Sequence, residues 1–272
     1  MSEHTSLPSI LPSIMVAPNG ARRGKNDHAE LPIVLPEIIY TAQSCWQAGA
    51  GGLHLHVRGE QGEHVLDAGL YKEAVTELKR VVPDLLVQIT TEAVGVYLPP
   101  AQRQVVKDVL PEAASVSVAE MLVGNDRKAA MDFYRWCEDA GVVIQHILYS
   151  EDDLARLYVL LTEAGVNLNG LQLLFVLGRY AKGQQSQPSD LLPFTHWLQA
   201  NGITADWAMC AFGHNETSCL HAAYLAGGKV RIGFENSLQN ADGSFAADNA
   251  ERVTEIKGLM DAIDAESMKE EK

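Results

Sequence analysis

At 272 residues and 47% hydrophobic content, the chain is long enough to bury a full core, as one large α/β barrel or two small domains. Its formal net charge of −14, from 35 acidic against 21 basic residues, argues against nucleic acid or an anionic membrane as the main partner. It has no charged-then-apolar leader, no apolar run approaching the ~18 residues of a membrane span, and four scattered cysteines (Cys45, Cys137, Cys210, Cys219) without Cys-x-x-Cys spacing. The expected setting is therefore a reducing cytoplasm, without disulfides or a thiolate metal site.

In chain order, short β-branched or apolar runs alternate with longer segments of helical period. The spacing predicts strands over 13–17, 52–57, 85–90, 114–118, 142–147, 171–176, 204–211 and 229–232. Helices are predicted near 36–48, 68–82, 99–110, 126–140, 150–164, 189–201, 216–227 and 247–263. After Asp67, for example, Leu70, Ala74, Val75, Leu78 and Val82 fall on one helical stripe. Pro36 and Pro99 sit where a first helical turn tolerates proline, and Gly49, Gly141 and Gly165 follow helix ends. Eight strand–helix pairs in this length predict a single (β/α)₈ TIM barrel over 1–272, with a lead-in over 1–12 and a frayed tail over 265–272. A doubly wound open sheet is the alternative, because periodicity does not report closure.

Active sites of such barrels lie at the C-terminal ends of the strands. The polar residues gather there, and the second strand stands out. In Gly52-Leu53-His54-Leu55-His56-Val57-Arg58, alternation sends His54, His56 and Arg58 to one face and Leu53, Leu55 and Val57 to the other. Two imidazoles at i and i+2 can hold one metal ion; hydrogen-bonded core histidines are the plainer reading. Strand eight closes a barrel beside strand one, so Glu235 becomes the candidate third ligand. Two His and a carboxylate leave positions open for substrate, as in a catalytic Zn²⁺ site, although Fe(II) and Mn(II) accept the same set.

Four segments carry a resemblance. Ala17-Pro18-Asn19-Gly20-Ala21-Arg22-Arg23, the Ala48-Gly49-Ala50 corner into His54-Leu55-His56-Val57-Arg58, Phe175-Val176-Leu177-Gly178 and Val230-Arg231-Ile232-Gly233-Phe234-Glu235-Asn236 resemble the β-keto acid cleavage enzymes. The best-known member of that family acts on 3-keto-5-aminohexanoate. The resemblance implies a zinc-bearing barrel, expected as a homotetramer, that exchanges acyl groups between a β-keto acid and acetyl-CoA, giving acetoacetate and a new acyl-CoA. It places the zinc ligands at His54, His56 and Glu235 and the catalytic arginine at Arg231, and puts Thr90 where the family has a mechanistic serine.

Two departures bear on mechanism. The aspartate that follows the ligand glutamate in the well-known member is Asn236 here, and an amide is no general base. Asn236 is left to orient Arg231, with Glu120 and Glu92 as the rim carboxylates that could take a C2 proton. The glutamate that meets the substrate's amine in that member is replaced by Arg22, so the expected substrate is neutral or anionic and not amino-bearing. Asn19, Thr91 and Glu92 are further candidate substrate contacts, and Arg179 and Lys182, flanked by Gly178 and Gly183, are candidates for the CoA phosphates. Rival readings are a metal-dependent TIM-barrel hydrolase, a class II aldolase without CoA, and a non-catalytic ligand-binding barrel.

Overall fold

The computed structural model describes residues 11–270. Its apolar runs form eight short strands: β1 (Ile14–Val16), β2 (Gly52–Leu55), β3 (Leu86–Thr90), β4 (Ala113–Ser117), β5 (Val143–Leu148), β6 (Gln172–Leu177), β7 (Asp206–Ala211) and β8 (Lys229–Ile232). All pair in parallel with their sequence neighbours, and β1 also pairs with β8, aligning Met15 with Arg231, so the sheet closes into a barrel. The open-sheet alternative is excluded.

Between the strands lie α1 (Leu35–Gln47), α2 (Ala68–Val81), α3 (Pro99–Val109), α4 (Val118–Met121), α5 (Arg127–Asp139), α6 (Glu151–Ala164), α7 (Leu192–Ala200) and α8 (Glu216–Leu225), and α9 (Asn249–Glu270) follows β8. Local chemistry sets their ends. Asp67, Asp126 and Ser150 accept hydrogen bonds from the backbone N–H groups of Leu70, Ala129 and Asp153, satisfying donors that a helix start leaves open. The core is the layer between strands and helices, where Leu53, Leu55 and Val57 pack with Tyr71, Ala74 and Leu78 of α2. Fully burying each such Leu stabilises by roughly 1.5–3 kcal/mol, and it commits the alternate residues His54 and His56 to the barrel interior.

Three details depart from the periodicity. α4 springs directly from β4, with Ser117 capping the Glu120 N–H, so Glu120 lies on a helical turn and not on a free loop. The segment ahead of α7 is a separate 3₁₀ turn, Pro188–Leu191, with a proline in its own first turn. α9 continues to Glu270, past the predicted helix end at 263. Ala, Glu, Met and Lys there are strong helix formers, and their propensity outweighs solvent exposure. Residues 271–272 and residues 1–10 of the lead-in lie outside the described residues. No helix among the described residues is long and apolar enough to cross a membrane.

One buried group ties this core to pH. His146 of β5 packs tilted against the Tyr134 ring, with Nδ1 buried and unpartnered among the described residues, and burial pushes its pKa down to about 3. The unfolded chain takes up that proton near pH 6.5 and the folded chain does not until about pH 3, so stability falls as pH drops through that window. Urea unfolding of wild type and His146→Gln between pH 7 and 5 will show a shallower pH dependence in the variant, by up to about 1.4 kcal/mol per pH unit. Parallel pH dependences would refute the assignment.

Candidate active site

His54 and His56 enter the barrel from β2, and Glu235 comes from the loop after β8, which crosses β1 through the Glu235 N–H to Ala17 carbonyl bond. Gly20 at φ +58° lets the β1 loop run across Glu235; a Cβ there would sit 2.6 Å from the Glu235 Cγ. Asn249, fully buried, fastens the same two loops: it accepts from the Phe234 N–H and donates to the Pro18 carbonyl. Arg58 stays in the cluster by pinning the β1 loop through the carbonyls of Asn19, Gly20 and Arg23.

The ring tautomers follow from the partners. His54 Nδ1 lies 2.8 Å from the Gln88 amide oxygen, which only accepts, so Nδ1 carries the proton. The Gln88 amide nitrogen in turn donates to the Gln145 oxygen. Burial, reinforced by the Arg231 charge, holds the His54 pKa well below its usual value, so its Nε2 is a bare lone pair. His64 donates through Nε2 to the Glu92 carbonyl, and its Nδ1 is left to accept from the His56 Nδ1–H. His56 then turns Nε2 toward His54 as its ligand atom.

These two nitrogens face each other at 3.1 Å, and Glu235 Oε2 lies 3.7 and 3.6 Å from them, buried and without a hydrogen-bond partner among the described residues. Burial would raise the Glu235 carboxyl; the Arg231 guanidinium overrides it and, with both imidazoles, holds it well below the usual carboxylate range. Inward-facing ligand atoms of this kind repel one another unless a cation sits among them. Tetrahedral Zn²⁺ at about 2.0–2.1 Å from its ligands needs ligand separations of about 3.3 Å, close to those observed. The donor set fits a divalent metal, and its outer partners, Gln88 and His64, are the kind that fix ligand tautomers.

A cleft opens over this triad. Asn19, Arg22, Thr90, Glu92, Arg179 and Arg231, all singled out in the sequence, line it together with His54 and Glu235. Arg231 Nη2 lies 3.4 Å from both Glu235 Oε1 and Cys210 Sγ, whereas its Nε and Nη1 are buried donors without partners among the described residues. Thr90 Oγ1 accepts from the Glu92 N–H, leaving its hydroxyl proton free to donate. Arg179 reaches from the β6 end to Glu92 at the β3 end, an ion pair of 2.8 Å spanning the mouth, with its guanidinium over the Phe212 ring. Arg22, 62% exposed, stands 3.9 Å from the same carboxylate.

Other expected residues do not line this cleft. The Glu120 carboxylate accepts from the Ala93 N–H and Gln102 and supports the loop that carries Glu92; burial raises its pKa. Thr91 turns to β4 and donates to the Ser115 carbonyl. Lys182 is exposed. Asn236 is fully buried beside the triad loop, with both amide atoms unpartnered. The sequence reading missed Gln88, His64 and the cleft residues Ile147, Tyr149, Val176 and Phe212. Inward alternation on β3, β5 and β6 was the available signal for Gln88, Ile147 and Val176; His64 is reached only through the Arg58–His64 bridge after β2.

The profile of the family described as beta-keto acid cleavage enzyme matches residues 13–272. The chain is 26% identical to the 3-keto-5-aminohexanoate cleavage enzyme of Acetoanaerobium sticklandii, over 88% of each chain. It is 22% identical to the 3-oxoadipate:acetyl-CoA acetyltransferase of Cupriavidus necator, over 90% of this chain and 87% of that one. Among solved structures it resembles the apo structure of ObcA in fold, at a TM-score of 0.68 and 16% identity, covering 86% of this chain and 62% of the length of that one.

Proposed function

The chain belongs to the beta-keto acid cleavage enzyme family, and on that premise we propose that it exchanges acyl groups between a non-amino β-keto acid and acetyl-CoA, releasing acetoacetate and a new acyl-CoA. The observation that carries the reading is the cluster of ligand atoms from His54, His56 and Glu235, of which His54 and Glu235 line the cleft together with Arg231. A Zn²⁺ held by His54, His56 and Glu235 supplies Lewis-acid polarisation of the keto acid's oxygens.

The chain's own residues supply the rest. Arg231 offers Nε and Nη1 to the substrate's carboxylate and to charge that develops on its oxygens. Thr90 donates its hydroxyl to the thioester oxygen. Glu92, the cleft carboxylate outside the ligand triad, takes a proton from C2, with Arg179 fixing its position. The C2–acetyl bond forms as the thioester C–S bond breaks; the CoA sulfur then adds to the ketone, the C2–C3 bond breaks, and Glu92 returns the proton to C2 of acetoacetate. The Asn236 backbone carbonyl accepts from Arg23, and its side-chain amide takes no proton. A cytoplasmic homotetramer is the assembly that goes with this reading.

The test is acetoacetate release by zinc-loaded protein from acetyl-CoA and a panel of neutral, anionic and amino-bearing β-keto acids. Acetoacetate that depends on acetyl-CoA supports the proposal, and none with any substrate sinks it. In the same panel Arg22→Glu will shift the ratio of rates toward amino-bearing substrates by about tenfold or more, since reversing a charge near a half-exposed site changes the interaction by ~1–2 kcal/mol. An unchanged ratio would remove Arg22 from substrate selection.

A further inference from the structure

The two sides of the cleft differ in kind. The triad, Arg231, Thr90, Glu92 and the β1 loop make one side polar. The other is built where β5, β6 and β7 pair side by side: Ile147 near the end of β5 with Tyr149 just beyond it, Val176 in β6, and Phe212 just past β7. These four pack as one apolar cluster floored by Leu174, Ala208 and Cys210.

The ions nearest this wall are already committed. Arg179, which crosses Phe212, is paired with Glu92, and Glu92 is shared between Arg179 and Arg22. Tyr149 brings a hydroxyl to the wall, but no charge. A substrate tail carrying a carboxylate or an ammonium would lose water there and would have to break the Arg179–Glu92 pair to gain a counter-ion, a loss of about 10- to 100-fold in binding by the cost of an unpaired buried polar group. A hydrocarbon tail gains from the same surface. The nucleotide of CoA is too large for this cleft; only its narrow thiol arm has to come in from the mouth to reach the ketone, which leaves the wall to the keto acid's own substituent.

Building on the acyl-exchange reading, we infer that this wall selects β-keto acids with an unbranched apolar tail, and that Ile147, Val176 and Phe212 determine specificity. The head group is then held by the polar side, and Arg22 at the rim repels an ammonium without itself receiving the tail.

Two measurements test this. Acetoacetate release from 3-oxopentanoate, 3-oxohexanoate and 3-oxooctanoate will show kcat/KM rising about fourfold per methylene until the wall is covered, from ~0.8 kcal/mol per buried CH₂. 3-Oxoadipate will fall at least about tenfold below 3-oxohexanoate. Val176→Thr, which changes shape little, will flatten the chain-length dependence. Calorimetric binding of the unreactive 3-hydroxyhexanoate and 3-hydroxyadipate to zinc-loaded protein reads the same preference without turnover. Dicarboxylate binding or turnover equal to or above that of the aliphatic acid overturns the inference while leaving acyl exchange standing. Tail-selective binding without acetoacetate from any substrate overturns the acyl-exchange reading and leaves the wall's selectivity standing.

Discussion

Glu235→Gln and His54→Ala will each abolish stoichiometric binding of a divalent ion and lower acetoacetate formation by about a thousandfold or more, the several kcal/mol that metal polarisation contributes. Glu235→Gln is the cleaner variant, because it keeps the shape of a side chain that lies across from Gly20 while removing the anion. His54→Ala also strips the Gln88 amide of its partner, at a further ~1–3 kcal/mol of stability. Metal content by atomic emission and thermal unfolding with and without added Zn²⁺ check the cause. At a hundredfold excess over Kd the wild type will gain about 2.7 kcal/mol, and the variants will gain little. Equal metal stabilisation of wild type and Glu235→Gln would mean that the ion binds elsewhere.

The barrel was legible because its periodicity is strong: the bounds of all eight strands fall within two residues of the sequence reading. That same alternation put His54 and His56 inside, and the adjacency of β8 and β1 brought Glu235 to them. What the sequence did not reveal was the partnering of polar groups beyond the ligands. Glu120 reads as a rim carboxylate, yet it is consumed by the Ala93 N–H and Gln102. Arg179 reads as a phosphate contact beside two glycines, yet it crosses the mouth to a residue 87 positions away. Neither outcome has a local signature, since each depends on which loops meet over the barrel. Nor do isolated Ile147 and Val176 announce a binding wall. They are ordinary strand residues until closure sets them opposite the triad.

The arginine provides the sharpest separation between chemistry and scaffold. Arg231→Lys keeps a cation against Glu235 but cannot replace the two donors, Nε and Nη1, that have no hydrogen-bond partner among the described residues. If those donors serve charge developing on the reacting oxygens, kcat will fall by about 10²- to 10³-fold, the ~2.7–4 kcal/mol lost with one such donor. KM, metal content and melting temperature will change little. Arg231→Met goes further, since it leaves the Glu235 carboxylate without the charge that holds its pKa down and the loop without its anchor. Its loss should therefore reach metal retention as well as turnover. Full kcat in Arg231→Lys with weakened metal binding would show that the arginine only steadies Glu235. A collapse of kcat with metal retained would put the guanidinium on the substrate, because a cation of the same charge at the same position would have failed only for want of its geometry.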